Sequence, residues 1–319
     1  MTYLNEIANK KILITGASGL IGRSLCEVAL SLGANVIGAV RSRAKLATLE
    51  KNPRFSFMPY EATGTFLCDE TPDIIVHAAS AASPNLYTSQ PVETMLANFH
   101  GINEILKFAT AHPCKVVYVS SSEVYGKADP REQGFKEEDI GYVDILSPRS
   151  SYPMGKRAAE TLCAAYAAEY GVDVSIVRPG HIYGPTASES DGRVSSLWPH
   201  MAARGEDIVM KSDGAQIRSY TFAKDCATAI LTVALRGKSG EAYNIAIKSK
   251  ACSIRRMAEI VAKAGGVKLI MELPSRGEIA GFNPMNNSCL DSSRLESLGW
   301  IADTDPDAGF TLTVRSLKG

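Results

Sequence analysis

Thr15-Gly16-Ala17-Ser18-Gly19-Leu20-Ile21-Gly22 stands between an apolar run, Ile12-Leu13-Ile14, and an apolar-periodic stretch that opens at Leu20. The glycines are spaced G-x-x-G-x-x-G, one residue longer than G-x-G-x-x-G, and the physics is shared. Glycine lets the backbone turn tightly and approach a pyrophosphate, while the start of the following helix offers N–H groups and positive potential. The plain alternative is a glycine-rich strand-to-helix turn that holds nothing. Its position between strand and amphipathic helix favours a dinucleotide cradle built from Gly16, Ser18, Gly19, Leu20, Ile21 and Gly22.

Outward from this turn, short β-branched runs alternate with longer helical patterns, the rhythm of a parallel sheet with crossover helices. Strands are expected at Lys11–Thr15, Asn35–Val40, Arg54–Met58, Asp73–His77, Val116–Ser120 and Asp173–Val177. Helices are expected at about Leu20–Leu32, Val92–Ala109 and Tyr152–Tyr170. Beyond Arg178 the alternation loosens, and Gly184-Pro185 opens a polar loop. The expected architecture is α/β: a doubly wound parallel sheet over residues 1–183, rejoined by 217–235, with a smaller substrate-binding lobe from 184–216 and 237–319.

The end of the second strand bears on which dinucleotide fits. Val36-Ile37-Gly38-Ala39-Val40 runs into Arg41-Ser42-Arg43, not into the Asp or Glu that accepts from an unphosphorylated ribose. Arg41 and Arg43 suit a 2′-phosphate, so NADP is expected, with NAD left open and a solvated basic loop as the alternative. Glu61 reads either as an acceptor for the adenine amino group or as a surface carboxylate. After the fourth strand, the small side chains of Ala78, Ala79 and Ser80 let a cofactor lie close.

Tyr152-Pro153-Met154-Gly155-Lys156 sets a phenol and an ammonium four residues apart on one helix face, roughly thirty residues after Ser121-Ser122-Glu123. Free tyrosine titrates near 10, and a useful base sits closer to neutrality. Lowering Tyr152 by about three units needs roughly 4 kcal/mol, which Lys156 and a positive nicotinamide ring can supply at intermediate dielectric. Ser121 would then hold the reacting hydroxyl, and Lys156 the nicotinamide ribose. Tyr152 would remove the proton of a sugar-type alcohol as the adjacent C–H leaves as hydride. A chance helix-surface pair is the alternative, and the ordered set of cradle, Ser121, Tyr152 and Lys156 speaks against it.

Thirty-four basic residues balance thirty-four acidic ones among 319, so neither a nucleic-acid nor a membrane partner is expected. Any phosphate must be met by a local site. Seven scattered cysteines without C-x-x-C or clustered histidine imply reduced thiols and no metal site. With no signal pattern and no apolar run near a membrane span in length, a cytoplasmic enzyme is expected.

At this point the chain resembles the extended short-chain dehydrogenase/reductase family, specifically its nucleotide-sugar epimerases, dehydratases and decarboxylases. Ser120-Ser121-Ser122-Glu123-Val124-Tyr125-Gly126 matches the family's S-[ST]-x-E-V-Y-G stretch, and Asn98 with Gly101 its N-x-x-G helix. Ser83-Pro84-Asn85-Leu86-Tyr87, Gly155-Lys156-Arg157-Ala158-Ala159-Glu160, Asp191-Gly192-Arg193-Val194 and Gly214-Ala215-Gln216-Ile217-Arg218 are similar to UDP-glucuronate decarboxylases. Leu298-Gly299-Trp300 with Gly309-Phe310 resembles the family's closing segment.

The resemblance implies a Rossmann domain plus a small sugar-nucleotide domain, with chemistry that begins by oxidation at the sugar C4. It implies Ser121, Tyr152 and Lys156 as catalytic, Glu123 as an acid/base or positioning group, and Asn98 near the cofactor. Asn85, Ser122, His181, Arg193 and Arg218 would face the substrate, Arg218 at the nucleotide diphosphate. Two departures stand out. Ser122-Glu123 replaces the Asp-Glu pair of dTDP-glucose dehydratases, and Arg178-Pro179-Gly180-His181 puts His181 where the family has a substrate-contacting Asn. Expected partners are a nucleotide-diphosphate sugar and a second copy of the chain, paired through the apolar face of Arg157–Tyr170. An NADPH-consuming reductase of a keto-sugar and a UDP-glucuronate decarboxylase are the alternatives to an epimerase or dehydratase.

Overall fold

The computed structural model describes residues 1–80, 82, 84–128, 134–247, 251–272 and 286–319, the side chains of Pro84 and Asn85 excepted. Strand and helix alternate first as β1 (Lys11–Thr15), α1 (Leu20–Ser31), β2 (Asn35–Val40), β3 (Phe55–Pro59) and β4 (Ile74–His77). Then come α2 (Pro84–Ser89), α3 (Pro91–Ala111), β5 (Lys115–Val119), α4 (Ser151–Tyr170) and β6 (Val174–Pro179). The later elements are β7 (His181–Tyr183), α5 (Val194–Ala203), β8 (Ile208–Met210), β9 (Ile217–Arg218), β10 (Tyr220–Phe222) and α6 (Ala223–Arg236). After these follow β11 (Ala242–Ile245), β12 (Cys252–Ser253), α7 (Ile254–Gly265), β13 (Leu269–Met271), α8 (Ser293–Glu296) and α9 (Pro306–Lys318).

Seven strands form one parallel sheet in the order β11-β6-β5-β4-β1-β2-β3. The chain winds from β1 outward to β3, then crosses back to β4 and proceeds the other way. The order therefore reverses between β1 and β4, and a crevice opens beyond their carboxyl ends. Side-chain alternation explains the two covering layers. Ile12 and Ile14 of β1 enter the core shared with Leu25 of α1 and Ile230 of α6, whereas Leu13 enters the core shared with Ile102 of α3 and Ala159 of α4. α3 starts on Pro91, where a missing N–H costs nothing, and α4 stops at Gly171 in a left-handed conformation, φ 67°.

In a second core, α5, α7 and α9 pack around Trp198, Met257, Val261, Phe310 and Val314, edged by the β8–β13 pair. Tyr183 stacks on Phe310 at 3.7 Å, and a Cβ on Gly309 would fall 2.0 Å from the Tyr183 hydroxyl. Only glycine allows that approach.

The expected division of the chain moves in two places. Ala242–Ile245, expected in the lobe, is β11 at the edge of the main sheet beside β6. Asn244 interrupts its apolar run, yet it is buried because its amide is satisfied. It donates to the carbonyls of Phe135 and Asp291 at 2.9 and 3.0 Å and accepts from the Tyr125 hydroxyl at 2.6 Å. In the expected return segment, β9 pairs with β12 of the expected lobe, whereas β10 pairs with β7 at the end of 1–183 and α6 packs against α1.

Candidate active site

The turn from β1 into α1 touches the loop after β4 backbone to backbone. Gly16 holds φ +69°, and a Cβ there would lie 2.9 Å from the backbone of Ala78 and Ala79. At Gly22 a Cβ would lie 2.2 Å from the Gly16 carbonyl oxygen. Gly19 is different: it is exposed, its φ of −82° suits any residue, and its Cβ would meet one atom at 3.4 Å. Packing within the protein does not demand glycine at 19, whereas a ligand resting on the turn would. No side chain caps α1 at Gly19, so the first N–H groups, at Leu20, Ile21 and Gly22, are left for a ligand. These features fit a dinucleotide pyrophosphate.

Ala78 and Ala79 border the turn, and the Thr15 hydroxyl accepts from the Ala79 N–H at 3.1 Å. Ser80 donates to Asn98 Oδ1 at 2.7 Å, and the Asn98 amide donates to the Thr94 carbonyl at 2.8 Å, tying the loop to α3. The structure thus brings Ser80 and Asn98 together, with both ends of the Asn98 amide engaged. Further along the crevice, Arg41 lies 3.8 Å from Glu61, and Arg43 is held at 2.7 Å by Glu50 while resting over the Phe57 ring.

At the carboxyl end of β5, Ser121 caps a short 3-10 turn by accepting from the Glu123 N–H at 3.2 Å. Its hydroxyl lies beside the phenol of Tyr152, which sits in the first turn of α4, where Pro153 is tolerated. Tyr152 is buried and stacks on Tyr87 at 4.3 Å with 9° between the rings. One helical turn on, the buried Lys156 donates to the Val119 carbonyl at 2.8 Å and stands 5.8 Å from the Tyr152 ring centre. Burial pushes the Tyr152 phenol above its ordinary value, against the pull of the Ser121 hydroxyl; Glu123 adds to the rise, while Arg193 and Tyr87 oppose it. Burial likewise pulls Lys156 down to about 7. The expected lowering of the phenol by its lysine is therefore not what the protein alone delivers.

Glu123 faces Arg149 at 3.3 and 3.4 Å. Ser122 sits half-buried on the same turn. Arg193 is paired with Asp191, its Nε 2.9 and 3.0 Å from the two carboxylate oxygens. Arg218 is buried and donates only to the carbonyls of Ile217 and Asn286, at 2.9 and 3.4 Å; among the described residues no carboxylate pairs with it. His181 at the start of β7 has a buried Nδ1 without a partner among the described residues, and burial, with Arg218 and Arg193 nearby, pulls its ring down to about 3. The imidazole is neutral there. The side chain of Asn85 lies outside the described residues. Among those residues no group of His, Cys, Asp and Glu side chains could hold a metal, and no helix is long and apolar enough to cross a membrane.

The sequence pattern of the NAD dependent epimerase/dehydratase family matches residues 12–246, a span that runs from β1 past Ser121, Tyr152 and Lys156 to β11. The chain belongs to that family. It is an enzyme of the NAD-dependent epimerase/dehydratase class. Over 300 residues it is 29% identical to UDP-glucuronic acid decarboxylase 3 of Arabidopsis thaliana, covering 92% of this chain and 84% of that one. Other UDP-glucuronic acid decarboxylases are 29–34% identical, and the chain spans 51–68% of their length. The UDP-glucose 4-epimerase of Thermotoga maritima, solved with UDP-glucose, shares the fold with a TM-score of 0.83 at 21% identity, over 97% of this chain and 98% of that one. The UDP-glucuronic acid 4-epimerase of Bacillus cereus, solved with UDP-glucuronic acid and NAD, does so with a TM-score of 0.80 at 22% identity, over 97% and 99%.

The expectation of NADP is corrected by these findings. Solved proteins of the same fold, among them the dTDP-glucose 4,6-dehydratase of Bacillus anthracis and the UDP-glucuronic acid 4-epimerase of Bacillus cereus, hold NAD. The physical reason is visible in this chain, where Arg41 and Arg43 each have a carboxylate neighbour and so offer little net charge to an added phosphate. Three site residues carried no individual role in the sequence reading: Tyr87, Tyr118 beneath Lys156, and Arg149. Arg149 had a signal, since it lies three residues before Tyr152 in a segment that leads straight into α4.

Proposed function

We propose that this family member binds NAD and a nucleoside-diphosphate sugar, a UDP-sugar first among them, and transforms it through transient oxidation at C4. The observation that carries the reading is Ser121 beside the buried Tyr152, with the buried Lys156 one helical turn on and the glycine cradle next to them. NAD, when bound, supplies the hydride acceptor and later returns the hydride. The turn Gly16, Ser18, Gly19, Leu20, Ile21 and Gly22 would hold the pyrophosphate, with Ala78, Ala79, Ser80 and Asn98 alongside and Lys156 at the ribose. Tyr152 takes the alcohol proton, and Ser121 aligns the hydroxyl. Glu123, oriented by Arg149, serves as an acid/base or positioning group next to Ser122. Arg218, Arg193 and the neutral His181 receive the diphosphate end, under a lobe formed by α5, β8, α7, β13 and α9.

A second reading, decarboxylation of UDP-glucuronate, is favoured by the names of the relatives. Val92, Met95, Leu96 and Phe99 form an exposed apolar stripe on α3, at the spacing of one helix face beside α4, which supports a homodimer. Seven unpaired cysteines suit a cytoplasmic setting.

The test is incubation with UDP-, dTDP-, GDP- and CDP-sugars, including UDP-glucuronate, with products read by mass and NMR and NADH by absorbance at 340 nm. Turnover without net NADH is expected, and Tyr152→Phe should lower it by about 10²–10⁴-fold while NAD still binds. Substantial residual turnover would overturn the assignment of the base.

A further inference from the structure

Lys156 is an ammonium in an unusual place. It is 2% exposed, with three N–H donors and one hydrogen bond, to the Val119 carbonyl. Glu160 lies one turn along α4, but its oxygens are held by Arg178 at 2.6, 2.9 and 3.2 Å. On the other sides stand Cys163 and Tyr152 from α4, His77 from β4 and Tyr118 from β5. His77 is held neutral by burial and bonds Thr15 through Nδ1, so it brings no negative charge. Cys163 is a buried thiol pushed far above its ordinary value. Two ring faces approach the ammonium, Tyr118 with Lys156 Nζ 4.8 Å from its centre and Tyr152 farther off at 5.8 Å, so the Tyr118 ring is the nearer. The Tyr118 hydroxyl is buried and has no partner among the described residues, so the residue presents its face to the charge and not its oxygen.

We propose that the π-face of Tyr118, added to the field of a Glu160 carboxylate already shared with Arg178, supplies the negative potential that keeps Lys156 protonated, which makes Tyr118 a positioning residue for that ammonium. The inference rests on the reading of Lys156 given above. A ring face attracts a desolvated cation strongly, because the quadrupole puts negative potential where water is excluded. Burial already draws Lys156 close to neutrality, so a modest loss of this attraction decides whether the side chain is charged at physiological pH.

The test is NMR titration of the full chain labelled with ¹³C at the lysine ε-carbon, Lys156 being identified by the signal lost in Lys156→Met. Tyr118→Phe keeps the ring and should leave the titration midpoint within about 0.3 pH units. Fluorinated phenylalanines at 118 keep the volume but drain the ring of negative potential. They should lower the midpoint stepwise, by about one unit for the trifluoro ring, or roughly 1.4 kcal/mol. A midpoint indifferent to fluorination would overturn the proposal, as would a Tyr118→Phe shift as large as the trifluoro one. Turnover retained by Lys156→Met would sink the catalytic reading instead, while the titration still reports on the ring.

Discussion

Two glycines three residues apart in the cradle should respond to the same substitution in opposite ways. A methyl at Gly22 would sit 2.2 Å from the Gly16 carbonyl oxygen and 2.7 Å from its carbon. Ordinary contact is more than an ångström longer, and backbone cannot step aside as a side chain can. Overpacking of that kind costs about 3 kcal/mol, offset by about 1 kcal/mol from replacing a helical glycine with alanine. The net, about 2 kcal/mol, should lower the melting temperature of a chain this long by roughly 3 °C. At Gly19 the methyl meets one atom at 3.4 Å, and the backbone angles already suit alanine. Stability should fall there by at most about 1 kcal/mol, the cost of a poorer N-cap. That methyl would, however, stand between the first N–H groups of α1 and a pyrophosphate. Losing one hydrogen bond to a charged group is worth about 1.5–3 kcal/mol, so Gly19→Ala should weaken NAD binding roughly 10- to 150-fold. Calorimetric melting and titration calorimetry with NAD read both quantities. If Gly19→Ala binds NAD like the parent, the cofactor does not rest on this turn.

Two further outcomes follow from buried charge. Glu160→Gln leaves Arg178 buried without its carboxylate and should cost about 3–5 kcal/mol in urea unfolding at neutral pH, with little change expected if the pair were merely superficial. His181 stays neutral down to about pH 3 when folded but takes up a proton near 6.5 when unfolded, so its contribution is intact above 6.5 and is lost as the pH falls. That amounts to about 2 kcal/mol by pH 5; His181→Asn should remove this much of the pH 7-to-5 decline in urea stability, and an unchanged decline would refute a neutral buried ring.

Much of this fold was legible because its signals are local. The β-branched apolar runs and the glycine turn are set by neighbours in sequence, and β1, β2 and α4 fall within a residue of where the pattern puts them. β11 escaped because Asn244 makes it look polar, and its polarity is cancelled only by Phe135, Asp291 and Tyr125, all distant in sequence. That Ser121, Tyr152 and Lys156 would lie together was legible from their spacing. The cofactor preference was not, because Arg41 and Arg43 read as unspent charge until Glu61 and Glu50 fold up against them. The acid–base balance of Tyr152 was equally hidden. A helix wheel shows the lysine one turn away, but it cannot show that burial acts on both groups and in opposite directions.

Neutral overall charge and a phosphate-bearing substrate are reconciled at the far end of the crevice. Around Glu123 and Asp191 the structure gathers Arg149, Arg193 and Arg218, three permanent cations to two carboxylates, with His181 held uncharged among them. Among the described residues Arg149 and Arg193 each have an acidic partner and Arg218 has none, so the excess there resides on Arg218, the most buried of the three. A guanidinium shut away from water without a counter-ion is costly, and a fold keeps one only where something else bears part of that cost. A diphosphate seated against Arg218 would do so, and it would be recognised by a field only a few ångströms deep. Such a field leaves no trace in the composition of the chain, which is why the balanced count of acids and bases says nothing against an anionic substrate.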